Sequence, residues 1–332
     1  VNLHISCGLG NAMGMLYNAF REGSPLVVTA GQQDRRLIFQ EPILWGDMIS
    51  VTRPWTKSSV EVHRSEDLPT ALHRAIQTAL TPPTGPVFLA IPVDVQMELC
   101  QAADITRRPP LDTRVRPPRE AIHEAAKLLV TAQHPVILAG SRVAQQQAIA
   151  PLVAVAERIG ASVYSEPTTN HGRLGFPPAH ELYVRDLPMW APDIQATLQP
   201  YDVALVCGMD LLRQYIYHEP TAALPQQLRV VHLDEDPREL NKNYPIDVPL
   251  WGDTSAGLIE LNEAMAALQS AASVSAATHR RADAATQQQQ RRAALAESIC
   301  QRADQRPLAP AVLMKTIADV LPADAAVVEA AV

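Results

Sequence analysis

The residues best suited to chemistry stand at the start of the sequence, in Asn2-Leu3-His4-Ile5-Ser6-Cys7-Gly8-Leu9-Gly10-Asn11-Ala12-Met13-Gly14. Histidine exchanges protons near neutral pH, so His4 is a candidate acid or base. The stretch reads as a strand, a glycine turn and a helix start. Gly8 and Gly10 permit a tight turn and a close backbone approach to a ligand, and a helix N-terminus presents unpaired N–H groups. Each residue also has a plainer reading. His4 suits a strand end satisfied by backbone, Asn11 an N-cap, Met13 core packing, and Gln32 a solvated turn.

Such residues need a scaffold, and the pattern around them supplies one. Strand-like runs over 2–6, 26–30 and 87–91 alternate with helical patterns over 11–21 and 68–80. Short apolar strands separated by helices indicate βαβ units and a parallel sheet. The strand ends at Ala30-Gly31 and at Ile91-Pro92-Val93-Asp94 are natural ligand positions, because open α/β sheets bind beyond the carboxyl ends of their strands. A first domain over 1–100 is followed by a linker over 101–118, whose prolines 109, 110, 117 and 118 resist helix and sheet alike.

A second α/β run fills 119–270, with helices over 119–131, 144–159 and 255–268 and strands over 135–139, 161–165, 203–207 and 228–233. Residues 271–306 are rich in Ala, Gln and Arg and read as an exposed helix or flexible connector. An amphipathic helix over 310–321 and a strand from 325 to 328 then open a third domain, placed at 307–332. The expected fold is α/β, with two doubly wound, mainly parallel three-layer domains and the start of a third.

Composition bounds the function. The 332 residues are 47% hydrophobic and 19% charged, enough for a core in each domain. A net charge of -7 without basic clusters argues against nucleic-acid and anionic-membrane partners. Cys7, Cys100, Cys207 and Cys300 form no CxxC pair, so neither zinc nor a disulfide framework is indicated, and a cytoplasmic setting fits. The apolar runs are far shorter than the roughly 20 residues of a membrane helix. The sequence opens inside a strand without Met and stops after a strand-like run, so missing sequence is expected at both ends.

Taken in order, four segments resemble the pyrimidine-binding domain of thiamine-diphosphate-dependent enzymes, nearest to benzoylformate decarboxylase: Asn-Leu-His at 2–4, Gly-x-Gly-Asn-Ala-Met-Gly at 8–14, Ser-Pro-Leu-Val-Val-Thr-Ala-Gly-Gln-Gln at 24–33, and Gly-Pro-Val-Phe-Leu-Ala-Ile-Pro-Val-Asp at 85–94. The runs 231–237 and 248–253 are similar to parts of that family's central domain. Acetolactate synthases share the layout, with a different glycine turn.

The resemblance implies thiamine diphosphate and Mg²⁺ as cofactors and non-oxidative decarboxylation of a small 2-oxo acid. It also implies a second copy of the subunit completing the site, in a homodimer or homotetramer. It places His4 as the active-site histidine, Gly8, Gly10, Asn11, Met13 and Gln32 around the cofactor, and Tyr215 or His218 where the family has a second histidine. The family's activating glutamate and its Gly-Asp-Gly metal motif do not occur here, so the chain alone is expected to be inactive. A carboligase of the acetolactate synthase kind and a non-catalytic nucleotide-binding or structural module are the alternatives. The glycine turn at 140 lacks the rest of a dinucleotide fingerprint, so FAD is not expected.

Overall fold

The computed structural model describes residues 1–100, 109, 111–167, 173–213, 216–219, 222–322 and 324–327. Val1–Arg114 and Val115–Val332 form two units, and the division falls inside the proline-bearing stretch read as a linker.

In the first unit the helix starts earlier than the glycines suggest. β1 is only Asn2–Leu3, and α1 runs Ile5–Arg21, so Gly8, Gly10 and Gly14 lie inside the helix and make no turn. The reason is burial. A glycine within a helix costs about 0.5–1 kcal/mol against alanine, whereas burying a leucine contributes about 1.5–3 kcal/mol. Leu9, Leu16 and Ala19 lie along one face of α1 and are all buried.

The rest of this unit comprises β2 (Val27–Gln32), α2 (Met48–Thr52), β3 (Ser59–Glu61), α3 (Leu68–Leu80), β4 (Val87–Pro92) and α4 (Val93–Met97). The sheet is parallel, in the order β1-β2-β4-β3. Strand alternation sorts the core into two layers. Val28, Ala30, Phe88 and Ala90 pack with Leu9 and Leu16 of α1, while Val87 and Leu89 pack with Ala75 and Ala79 of α3.

The second unit comprises α5 (Arg119–Thr131), β5 (Pro135–Ala139), α6 (Ser141–Gln145), α7 (Ile149–Ile159), β6 (Ser162–Ser165), β7 (Tyr183–Asp186), α8 (Ala191–Leu198), β8 (Val203–Cys207), β9 (Arg229–Asp234), β10 (Val248–Trp251), α9 (Thr254–Leu268), α10 (Ala271–Gln301) and α11 (Pro310–Val320). The helix expected over 144–159 is broken into α6 and α7. Of the stretch 271–306, residues 271–301 form one long helix, α10, opened by a capping box at Ser270 and Ser273. Residues 325–327 form no strand, and residue 328 of that expectation lies outside the described residues.

All six strands are parallel, in the order β10-β9-β8-β5-β6-β7. Counted within the unit this is 6-5-4-1-2-3, the doubly wound dinucleotide-fold order, whose switch point lies between β5 and β8. Both strands are buried along their whole length. α5, α7 and α9 cover one face and α8 the other. Among the described residues no helix is long and apolar enough to cross a membrane.

Candidate functional site

Leu3 pairs with Ala30, so His4 leaves the sheet beside Gly31, at the carboxyl end of two parallel strands. His4 is exposed and occupies the N-cap position of α1. Its side chain caps nothing among the described residues, although its carbonyl accepts the Gly8 N–H at 3.0 Å. Ile5 follows with φ +46°, a left-handed conformation that is rare for a β-branched residue. Strain of this kind, on the order of 1–3 kcal/mol, collects where a site fixes the backbone.

Other groups converge on this strand end. A Cβ on Gly31 would lie 3.8 Å from Ile5 Cγ1 and 3.8 Å from the Gln96 side chain, which itself donates to the Ile91 carbonyl at 2.6 Å. A Cβ on Gly46 would sit 2.7 Å from the Ser6 hydroxyl and 3.2 Å from its Cβ, so a side chain there would displace Ser6 at the start of α1. The Ser6 hydroxyl is buried and has no hydrogen-bond partner among the described residues. Sequence patterns point to neither Ser6 nor Gly46, because what singles them out is an approach between residues 40 positions apart in the chain.

The other expected residues are placed unevenly. Gln32 is buried at the end of β2, and its amide is occupied: Nε2 donates to the Gly46 carbonyl at 2.9 Å and Oε1 accepts the Gln33 N–H at 2.9 Å. It is therefore no solvated turn residue. Gln33 likewise donates to the Ile43 carbonyl at 2.7 Å. The two glutamines fasten a loop that exposes Leu37, Phe39, Ile43 and Trp45, Phe39 almost completely at 98%.

Asn11 lies within α1, exposed, and so is not an N-cap. Met13 packs against the core around Leu9 and Leu16. A Cβ on Gly8 would meet only ordinary contacts, and one on Gly10 would meet nothing within 4 Å, so no close approach within the unit demands either glycine. A cleft of about 770 Å³ follows β2 and β4, lined by Asp34, Arg35, Arg36, Val93, Asp94, Met97 and Glu98. None of the expected site residues lines it. Its charges are matched internally: Arg35 bonds Asp94 at 2.8 Å, and the Arg36 guanidinium beside Asp34 holds that carboxyl down to about 2.

Tyr215 lies outside the described residues. His218 belongs to the second unit, where its ring stands edge-on to Trp190 with centroids 6.1 Å apart.

The carboxyl end of the second sheet holds a cluster that the sequence pattern did not single out. Arg142, beginning α6, donates to Asp234 at 2.6 Å and to Asp210 at 2.9 Å, and both carboxylates are buried. Burial opposes the Arg142 charge, but the two carboxylates more than compensate and hold it well above the usual arginine range. Complete burial pushes the Asp234 carboxyl up, against the pull of Arg142. Burial likewise pulls His232 down to about 4, and Glu235 is pushed up to about 7 by burial and by the adjacent Asp234. His232 Nε2 faces the Met209 carbonyl at 3.1 Å, as a neutral imidazole donating there.

Backbone closes the switch point itself. Gly140 N donates to the Cys207 carbonyl at 2.9 Å and Arg142 N to the Gly208 carbonyl at 3.1 Å. A Cβ on Gly140 would stand 2.2 Å from the Gly208 oxygen, and one on Gly175 2.4 Å from the Gly140 oxygen. Among the described residues no group of three or more His, Cys, Asp or Glu side chains could hold a metal ion.

Comparison with known proteins shows the family. Residues 122–261 match the model of the thiamine pyrophosphate enzyme central domain. Benzoylformate decarboxylase of Pseudomonas aeruginosa is 33% identical over 267 residues, 79% of this chain and 49% of that protein. Acetolactate synthase of Mycobacterium leprae is 29% identical over 263 residues, 76% of this chain and 40% of that protein. The crystal structure of benzoylformate decarboxylase from Polynucleobacter necessarius superposes with a TM-score of 0.74 at 33% identity, covering 80% of this chain and 49% of that one. The chain thus spans about half the length of the benzoylformate decarboxylases it matches.

Proposed function

The chain belongs to the thiamine-diphosphate-dependent enzyme family, and from that membership we propose that it forms the His4-bearing part of an enzyme that decarboxylates a small 2-oxo acid. The observation carrying this reading is the strand-to-helix junction at the carboxyl end of the first sheet. There an exposed His4 precedes a strained Ile5, beside a buried hydroxyl that has no partner among the described residues. Bound thiamine diphosphate supplies the electron sink for loss of the carboxylate.

The chain's own residues have narrower tasks in this proposal. The His4 imidazole gives or takes the proton at the reacting carbon. The start of α1, with Gly8, Ser6 and further along Gly10, Asn11 and Met13, borders the pyrimidine side of the cofactor. Gln32 acts through the loop it fastens, holding Gly46 against Ser6 and the exposed apolar side chains beyond it, which suit a water-poor surrounding. In the second unit His218, or Tyr215, stands for the second proton-relay residue.

The fit to the cofactor is partial. The orphaned Ser6 hydroxyl and the open side of α1 suit a polar, flat ligand. No Gly-Asp-Gly occurs in the sequence, so the groups that would hold Mg²⁺ and the diphosphate are not residues of this chain. The proposal therefore includes a part outside these 332 residues that holds those groups and, separately, a second copy, as homodimer or homotetramer, in a cytoplasmic setting. The exposed face of α1 supports that: Cys7, Gly10, Asn11, Gly14 and Asn18 lie on it, and no Lys, Arg, Asp or Glu precedes Arg21.

Carboligation is the second reading, favoured by the likeness to an acetolactate synthase. The closed crevice of the second unit weighs against a flavin there. Product analysis with pyruvate and with benzoylformate decides: aldehyde and carbon dioxide support decarboxylation, and acetolactate supports carboligation. The assay uses the chain alone and joined to the cofactor-holding parts. Turnover by the 332-residue chain alone would overturn the claim that it is incomplete as a catalyst. His4→Ala in the joined enzyme is expected to lose about 10²–10⁴-fold in kcat.

A further inference from the structure

The segment after β8 begins deep and ends outside. Met209, Asp210, Leu211 and Leu212 are buried, and Leu212 holds φ +48°, which a leucine adopts only where its surroundings impose it. Arg213 then pairs with Asp210 and donates to Glu239 at 3.0 Å, tying the segment to the loop after β9. Beyond that tie, Tyr217 is 73% exposed and bonds Glu219, itself exposed, and among the described residues burial returns at Ala223.

His218 sits on this excursion in an unusual way. A working histidine is ordinarily oriented by a hydrogen bond to its second ring nitrogen. Here Nδ1 is buried and has no hydrogen-bond partner among the described residues. What fixes the ring is packing: Trp190, at the N-cap position of α8, stands edge-on at 73°.

We propose that Trp190 and Arg213 are positioning residues for His218: Arg213 fixes where the excursion leaves the body of the second unit, and Trp190 fixes the plane of the imidazole, leaving Nε2 as the nitrogen free to act. This rests on reading His218, and not Tyr215, as the second unit's relay residue.

The test uses the chain as it stands, labelled with ¹³C at histidine Cε1, with His218→Asn identifying the His218 resonance. Trp190→Ala is expected to abolish the ring-current displacement of that resonance, and Trp190→Phe to retain most of it. Arg213→Gln is expected to move it to the position of a solvent histidine, and Arg213→Lys to restore it. The other histidine resonances hold throughout, and so does the melting temperature in the Trp190 variants, while Arg213→Gln melts lower because Asp210 and Glu239 lose a cation. If Trp190→Ala disturbs those other resonances, Trp190→Leu is read in its place by the same criterion. A His218 resonance that stays put in either the Trp190 truncation or Arg213→Gln overturns the proposal. Turnover plays no part in this readout. Failure of the functional reading shows separately, as undiminished activity of His218→Ala in the cofactor-competent enzyme.

Discussion

The carboxyl ends of the two sheets occupy the same place in the same kind of architecture and are finished in opposite ways. In the second unit the chain fills the place itself. Gly140, Gly175 and Gly208 bring three loops into backbone contact, and Arg142 sits between Asp210 and Asp234 where a ligand's charge would otherwise sit. In the first unit the ends stay open, with His4 exposed, the Ser6 hydroxyl without a partner among the described residues, and nothing within 4 Å of a Cβ on Gly10. A doubly wound sheet offers a ligand site at its switch point by topology. Whether the site is used depends on whether side chains satisfy it from within.

The sharpest way to break this contrast is to empty the filled end. Arg142→Met keeps apolar bulk and leaves the buried Asp234 without its cation, while Asp210 keeps Arg213. Removing one partner of a buried ion pair costs about 3–5 kcal/mol, because a charge stays in the interior uncompensated. Urea unfolding of the second unit is expected to show a loss of that size. A loss below about 1 kcal/mol, the range of surface pairs, would mean that water or another group reaches the crevice and that the two sheet ends are alike after all.

The next effect is a pH dependence near neutrality at the filled end. Burial raises the Glu235 carboxyl from 4.5 to about 7. Below 4.5 the folded and unfolded chains both hold the proton, so nothing is lost; as pH rises through about 7 the folded chain must ionise a buried acid, and stability falls. A shift of this size corresponds to on the order of 3 kcal/mol. His232 runs the other way, with stability present above 6.5 and lost as pH falls toward about 4, so the informative quantity is the difference between variant and wild type. Glu235→Gln keeps an acceptor for Gln146. It is expected to match wild type at acidic pH and to exceed it above neutrality. Equal melting curves of the two proteins across that range would refute the buried charge.

Much of the scaffold is written in local pattern. α3, α5, β5 and β8 begin and end where hydrophobic periodicity places them, because each is bounded by its own turn residues and buries one continuous run. The start of α1 is different. Its glycines read as a turn by intrinsic preference, and only the burial of Leu9 and Leu16 against β2 and β4 reverses that. β3 and β7 carry little apolar signal of their own and exist because a neighbouring strand offers an edge. The proposed site divides the same way. His4 is singled out by its position before a glycine-rich run, whereas Ser6 against Gly46 and Arg142 between Asp210 and Asp234 are long-range meetings that spacing does not encode.

One substitution made at both ends gives the contrast opposite signs. Gly140→Ala puts a methyl 2.2 Å from the Gly208 oxygen and 2.3 Å from Met209 Cβ, so loops must shift. Overpacking of this kind costs about 1–3 kcal/mol.

Gly10→Ala places the same methyl in open space within α1, where alanine gains about 0.5–1 kcal/mol over glycine. The first unit is therefore expected to melt slightly higher in that variant. If the open end is kept for a cofactor or a second copy, this gain comes with a loss: calorimetric titration of the cofactor-competent enzyme with thiamine diphosphate, or sedimentation of the assembled enzyme, should weaken in Gly10→Ala. Higher stability with unchanged binding and assembly would mean that Gly10 serves neither ligand nor partner. The open face of α1 would then be a surface that water covers, and the difference between the two sheet ends would shrink to Ser6 and His4.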